Sequence, residues 1–386
     1  MIVKLYSINA FNSVQRDVVL DATSQNTPEL YLFVQAACSC EPILAFGEHQ
    51  IFSKEGVQQG DPLSVLEFCE EVQPLLSICE SDVEIGFMDD FTLSGQLDTV
   101  ASDVEMITKS AKDIGLVLNP TKCEIICFDD KSANMEVFKD YIRVRPEDMT
   151  LLGAPILKGP AIDKALSRKV DDLIRAVSRL TQLQVHDGLT LLRICFSMPK
   201  LLYILRTSPC SGNHLLEKFD MALREDLTKI LNIDLDDIQW SQANLPVNAG
   251  GLGISHAVKL APSAFLAFAA STLSLQNLIL SCRTASIPDI DVRDVSCSWT
   301  IFAGVPEPPD EVRHIQKVWD RPVISNQIAE ISSQLSPEVD KARILSASSP
   351  HLWQLAYCHT YNVNRIEAQR RNDTDCRRLQ IGTPNV

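Results

Sequence analysis

Positive charge is in short supply in this sequence of 386 residues: 35 lysines and arginines stand against 50 aspartates and glutamates, a net charge of -15. That balance repels a polyanion, so any contact with nucleic acid has to run through a local basic strip. A run of about 18 uncharged apolar residues is also missing, which speaks against a membrane span. The opening Met1 to Leu5, followed by Tyr6 and Ser7, lacks the apolar stretch of a secretory signal. An intracellular protein, nuclear or cytoplasmic and without membrane contact, is the expectation. The 12 cysteines include no Cys-x2-Cys pair, which predicts scattered thiols in place of disulfides or a zinc finger. His351, Cys358, His359 and Cys376 fit no common zinc spacing and are expected to be structural or disordered.

Hydrophobic residues are plentiful, at 45%, enough for a large core divided among two or three units. The first half mixes periods. Strand-like runs at Ile43–Phe46, Val83–Phe87 and Ile125–Phe128 alternate with helical segments, an α/β or α+β pattern. Thr27-Pro28-Glu29 reads as a helix start. Asp98–Ile114 reads as a helix stopped by Gly115, with a strand following through Leu116 to Pro120. After Gly159 the pattern turns helical, with Leu166, Val170, Leu173, Val177 and Leu180 at core spacing and further apolar stretches at 189–205 and 215–231. Lys164, Arg168, Arg175 and Arg179 recur at spacings that set them along one side of that first helix, with Asp171 in the same stripe. Gly250-Gly251-Leu252-Gly253 lacks the lysine of a phosphate loop and reads as a turn. Pro306–Pro309 reads as a linker, the segment 337–346 as helix-prone, and the arginine-rich 364–378 as a disordered tail.

Asp89 and Asp90 lie between Ile85-Gly86-Phe87-Met88 and Phe91-Thr92-Leu93, which puts them at the tip of a β-hairpin where two carboxylates could bind divalent metal. Asp129-Asp130, Asp171-Asp172 and Asp236-Asp237 are acid pairs too, and these read as turns or solvated helix faces. The distinguishing context is the turn-rich loop Gly56-Val57-Gln58-Gln59-Gly60-Asp61-Pro62-Leu63, which runs into an apolar helix ahead of the hairpin.

That octapeptide, then Phe87-Met88-Asp89-Asp90, then Gly115-Leu116-Val117-Leu118-Asn119 to Lys122-Cys123-Glu124, resembles the consecutive template-loop, metal-binding and nucleotide-binding motifs of reverse transcriptases. Leu151-Leu152-Gly153-Ala154-Pro155 resembles the primer grip of that family. The segment from Leu245-Pro246 to Gly250-Gly251-Leu252-Gly253-Ile254 resembles one that follows the thumb in LINE-type, non-LTR elements. The resemblance implies an α+β fold: a right-hand palm with a ferredoxin-like βαβ core over 1–158, a helical thumb over 159–245 and a helical C-terminal region over 246–386. It implies Asp89 as a metal ligand for Mg2+ or Mn2+, Asp90 as its neighbour, and Gln59 and Gly60 along the templating base pair. Lys122 would donate a proton to pyrophosphate, and Lys164 and Arg168 would contact the template. RNA template, DNA primer and deoxynucleotide would be the partners.

Two departures stand against activity. Lys4 to Asn12 resembles the family's first metal motif, with Phe11 as the residue that excludes the ribose 2′-hydroxyl, and its register puts Tyr6 where the family has aspartate. A neutral phenol cannot help hold two cations about 3.5 to 4 Å apart. The chain also begins at this motif, so the fingers are expected to be missing. Phe87 in place of tyrosine, Ser64-Val65 and Glu67 are milder departures. The resemblance implies an RNA-directed DNA polymerase that these departures leave inactive; the alternatives are a non-enzymatic nucleic-acid or protein interaction module, and an unselected fragment.

Overall fold

The computed structural model describes residues 1–39, 41, 43–128, 136–280 and 292–335. Asp129-Asp130, the segments 337–346 and 364–378, and His351, Cys358, His359 and Cys376 lie outside the described residues. The chain forms two compact units, Met1–Met149 and Thr150–Val386.

The first unit is α+β. In chain order it contains β1 (Ile2–Tyr6), α1 (Ala10–Ser13), α2 (Arg16–Asn26), α3 (Tyr31–Cys38), β2 (Ile43–Phe46), β3 (His49–Phe52), α4 (Ser64–Ser77), β4 (Val83–Phe87), β5 (Asp90–Ser94), α5 (Leu97–Asp113), β6 (Glu124–Ile126) and β7 (Ile142–Arg143). Five strands form one sheet in the order β4-β5-β1-β6-β7, and β2 and β3 form a separate hairpin. β1 is central and antiparallel to both β5 and β6. With helices between β1 and β4 and again between β5 and β6, this is the split β-α-β arrangement. Period-two alternation explains why β1 tolerates its position: Val3 and Leu5 are fully buried, while Lys4 and Tyr6 take the opposite face. Val3, Leu5, Phe91 and Leu93 from the sheet pack with Phe68, Val72 and Leu75 of α4 and Val100, Val104 and Ile107 of α5. Burying so many complete aliphatic and aromatic side chains, at about 1.5 to 3 kcal/mol each, holds the sheet to these helices.

Three expectations need correction. The helix expected to begin at Thr27 does not: Thr27 is the C-cap of α2, donating its backbone N–H to Thr23 O, and the next helix starts at Tyr31 after a turn over 28–30. Proline has no N–H for a helix that is already under way, so Pro28 ends α2. The strand expected at 116–120 shrinks to one bridge, Ser7 to Leu118, because β1 takes Glu124–Ile126 as its ladder partner instead. Third, Pro306–Pro309 is no linker. It lies between helices that share one core, and Arg313 binds it through Pro308 O at 2.9 Å and Glu307 Oε2 at 3.1 Å.

The second unit opens with the short hairpin β8 (Thr150–Leu151) and β9 (Ala154–Pro155), so its boundary falls ahead of the 158/159 expected. The hairpin's turn uses Leu152 and Gly153 at positive φ, and Tyr203 Oη donates to Leu152 O at 2.7 Å. Among the described residues eight helices follow: α6 (Pro160–Leu180), α7 (Val185–Leu191), α8 (Met198–Thr207), α9 (His214–Leu231), α10 (Asp237–Ala243), α11 (Ala257–Leu280), α12 (Arg293–Ala303) and α13 (Gln316–Gln334). A π turn, Leu192–Phe196, joins α7 to α8, so the apolar stretch 189–205 is not one straight helix. Leu166, Leu173, Val177 and Leu180 of α6 enter one core with Leu216, Phe219, Leu223 and Leu227 of α9 and Ala257, Ala261 and Ala264 of α11. Segments expected to fall in separate thumb and C-terminal regions therefore share an interior. Trp299 and Trp319 meet edge to face at 4.9 Å in a second core beside α11. Val185–Thr207 and Ala257–Ile279 are long and apolar enough to cross a membrane by length and composition; here Leu201, Ile204, Leu205, Ala261 and Ala264 lie in the core.

Candidate functional site

The β4–β5 hairpin is as tight as two strands allow. Phe87 pairs with Asp90, leaving Met88 and Asp89 as the turn, and Met88 takes the left-handed conformation at φ 56°. Asp90 is thus the first residue of β5, and it pairs across the sheet with Tyr6, the last residue of β1. Directly opposed residues of an antiparallel pair project to the same face, so Asp90, Tyr6, Lys4 and Thr92 share one face, joined by Glu124 opposite Lys4 on β6.

A third segment closes this edge. After α5, Gly115 turns at φ 87°, and a Cβ there would meet Ser13 O at 2.3 Å, so only glycine brings the chain this close. Val117 O then accepts from Ile8 N at 2.8 Å, and Asn119 N donates to Tyr6 O at 2.7 Å. Lys122 N and Cys123 N both donate to Asn119 O, forming the turn that carries Lys122. The Lys122 side chain is exposed.

The electrostatics of this face are set by burial and by crowding of acids. Burial, then Glu124, then Asp90 push the Tyr6 phenol up to about 12, so it is neutral at physiological pH. Burial and the neighbouring Asp89 raise the Asp90 carboxyl, while Lys4 pulls it back. Lys4 is 6% exposed, and its Nζ lies 2.5 Å from Glu124 Oε2. Lys4 opens the segment that resembles the first metal motif, and that resemblance gives it no role. The signal available was a lysine in the middle of a strand whose odd-numbered neighbours are core residues.

The loop after β3 is tied to the first helices. Gly56 N donates to Val14 O at 2.9 Å, Val57 N donates to Phe11 O at 2.8 Å, and Arg16 reaches Gly56 O at 3.1 Å and Ser53 Oγ at 3.0 Å. Gln59 and Gly60 continue this loop as exposed residues, and Asp61 caps the turn into α4 by accepting from Leu63 N at 2.8 Å. The Phe11 ring stacks on the buried Phe68 at 4.4 Å, a packing contact inside the unit. Glu67 is half-buried with its carboxyl raised by burial, Asp61 and Glu70. The more severe case on α4 is Glu71, which drew no attention in the sequence: it is 3% exposed, and neither carboxylate oxygen has a hydrogen-bond partner.

In the second unit Lys164, Arg168, Arg175 and Arg179 are all exposed on α6, as is Asp171. Arg175 is held by Asp172 one turn away. The amides of Gly250, Gly251, Leu252 and Gly253 all donate internally, to Val247, Pro246, Ala243 and Leu245 carbonyls, so this loop is a turn with no N–H left to cradle phosphate. Asp236 is the N-cap of α10 in a capping box with Gln239, and Asp237 pairs with Arg224.

A two-cation centre does not fit the face around Asp89 and Asp90. Among the described residues no group of three or more histidine, cysteine, aspartate or glutamate side chains is arranged to hold a metal ion. The residue paired across the sheet from Asp90 is a neutral phenol, and a buried ammonium lies two residues before it on the same face. No curated protein matches the chain. Residues 1–156 match the model of the reverse transcriptase (RNA-dependent DNA polymerase) family, and over that span, which covers the five-stranded sheet and the β8–β9 hairpin, the chain is similar to a polymerase palm.

Proposed function

We propose that the first unit is the palm of a non-LTR retrotransposon reverse transcriptase, that α6 to α10 are its thumb, and that the chain binds a nucleic-acid duplex without extending it. The observation that carries this reading is the cross-strand pair of Tyr6 and Asp90. The motif register sets an aspartate of the family at Tyr6, and that pairing lays the phenol beside the two carboxylates, where a third ligand would be needed. Two-metal phosphoryl transfer depends on carboxylates that hold both cations against their mutual repulsion. A loss of even about 4 kcal/mol of transition-state stabilisation lowers a rate roughly a thousandfold.

In this reading Gln59 and Gly60 face a templating base pair, Phe11 supports the edge of the nucleotide site, and Lys122 stands near the departing pyrophosphate. Lys164 and Arg168 supply a local basic strip on an otherwise acidic chain. Binding then resides in backbone phosphate contacts and falls steeply with salt.

The test combines two measurements on the full chain. Primer extension on an RNA template, with Mg2+ or Mn2+ and enzyme in excess, should give no product above a protein-free control. Fluorescence anisotropy with an RNA–DNA hybrid should show salt-dependent binding, weakened about tenfold or more in a Lys164→Glu/Arg168→Glu variant. Extension by the unaltered protein overturns the reading, and so does failure to bind the hybrid at low salt.

A further inference from the structure

The cation that neutralises the acidic face of the sheet is part of the chain. Lys4 lies mid-strand on β1, with Thr92 opposite on β5 and Glu124 opposite on β6. Alternation sends its side chain to the face that carries Tyr6 and Asp90, away from the core that holds Val3 and Leu5. Its side chain is 7% exposed and its Nζ is 2.5 Å from Glu124 Oε2. Lys4 also acts on the Asp90 carboxyl, two positions along the same face. A lysine is almost never buried unless paired, and this one is paired with Glu124 on the face that also carries Asp90.

We infer that the Lys4 ammonium supplies, from within the fold, the positive charge that a divalent metal would bring to Asp89, Asp90 and Glu124, so that this face is complete without metal and does not take one up. Moving this buried ammonium aside would leave Glu124 without its partner, which costs free energy. A divalent ion approaching Asp90 meets its repulsion, and the neutral phenol of Tyr6 gives nothing in return. The face also loses the acid excess that makes metal binding favourable, because Glu124 is already spent on Lys4. This depends on the palm reading only for the expectation that a metal belongs here. Its test uses no nucleic acid and no polymerisation, so the two can fail separately.

Mn2+ binding followed by electron paramagnetic resonance, together with thermal melting across 0 to 10 mM Mg2+ or Mn2+, decides the matter. The acidic surface binds Mn2+ weakly in any case, so each protein is compared with its own Asp89→Asn/Asp90→Asn counterpart. The unaltered chain should bind no more Mn2+ than that counterpart, and metal should not raise its melting temperature relative to it. Lys4→Met keeps the apolar stem and removes the charge. It should melt lower without metal, recover with Mn2+, and bind Mn2+ at least about tenfold more tightly than its own Asp89→Asn/Asp90→Asn counterpart. Aspartate-dependent Mn2+ binding by the unaltered chain, or a Lys4→Met protein indifferent to metal, overturns the inference. Should Lys4→Met not fold, the comparison of the unaltered chain with the Asp89→Asn/Asp90→Asn protein decides alone: equal binding upholds the inference and tighter binding in the unaltered chain refutes it.

Discussion

Replacing Glu71 with leucine should stabilise the first unit at neutral and alkaline pH and remove a pH dependence that the natural chain carries. Glu71 shares its face of α4 with Phe68 and Leu75, both core residues, and is 3% exposed with both oxygens unpartnered. Burial alone pushes its carboxyl up to about 8. Between the ordinary carboxylate range and that value the folded chain holds a proton that the unfolded chain has released. Stability therefore falls as pH rises: the penalty is absent below about pH 4.5 and complete above about pH 8. At 1.36 kcal/mol per pH unit the span sets a ceiling near 5 kcal/mol, and water penetration into the opened site brings the expected loss to about 2 to 5 kcal/mol. Residues 1–149 contain no tryptophan, so tryptophan fluorescence would miss this transition. Asp226 and Asp320, raised by burial to about 7 and about 6, add their own pH dependence in the second unit. Amide hydrogen exchange read on peptides from β1 and α4 isolates the first unit. Protection in the natural chain should drop between pH 5 and pH 8.5 once intrinsic exchange is corrected, while Glu71→Leu loses most of that slope and Glu71→Gln loses it at a lower level of protection, the raised carboxyls of Glu67 and Asp90 leaving a smaller dependence in both. A Glu71→Leu protein that follows the same pH slope as the natural chain would refute the reasoning.

Three further substitutions probe how the first unit is held in place. Gly56→Ala puts a Cβ 2.5 Å from Asn12 Cα at a φ of +77° and should cost about 2 to 4 kcal/mol, whereas Gly60→Ala, at φ +93° but with nothing within 4 Å, should cost about 1 kcal/mol. Urea melts followed by circular dichroism should rank them in that order. Asp103 accepts from Glu80 N, Ser81 N and Ser81 Oγ while 4% exposed. Asp103→Ala strands those donors and should destabilise the turn before β4 by about 2 to 4 kcal/mol, read as lost exchange protection over residues 80–87.

Much of this molecule could be read from the sequence because the signals were local. The hairpin follows from alternation on both sides of a two-residue turn, and β4 spans Val83–Phe87 as periodicity indicated, but the turn falls on Met88 and Asp89, one residue ahead of the expected tip, so Asp90 belongs to β5. α5 ends at Gly115 because a left-handed turn is needed there, and glycine is the residue that supplies it. The core face of α6 is a 3.6-residue repeat of leucine and valine. Such features need only a residue and its neighbours within a turn or two.

What the sequence could not show depends on distant pairing. The strand expected at 116–120 gave way to β6 because β1 has only two edges, and β5 and β6 occupy them. The linker expected at Pro306–Pro309 became an internal loop because Trp299 and Trp319, on opposite sides of it, pack against each other. The buried states of Lys4 and Glu71 are likewise tertiary: nothing in a charged residue's own neighbourhood reveals whether the face it occupies will be covered. Local order and spacing wrote the strands, the hairpin and the motif order into the chain. Only the packed sheet decided that Tyr6 and Asp90 would be partners and that a lysine would lie beside them, because cross-strand register joins residues far apart in sequence.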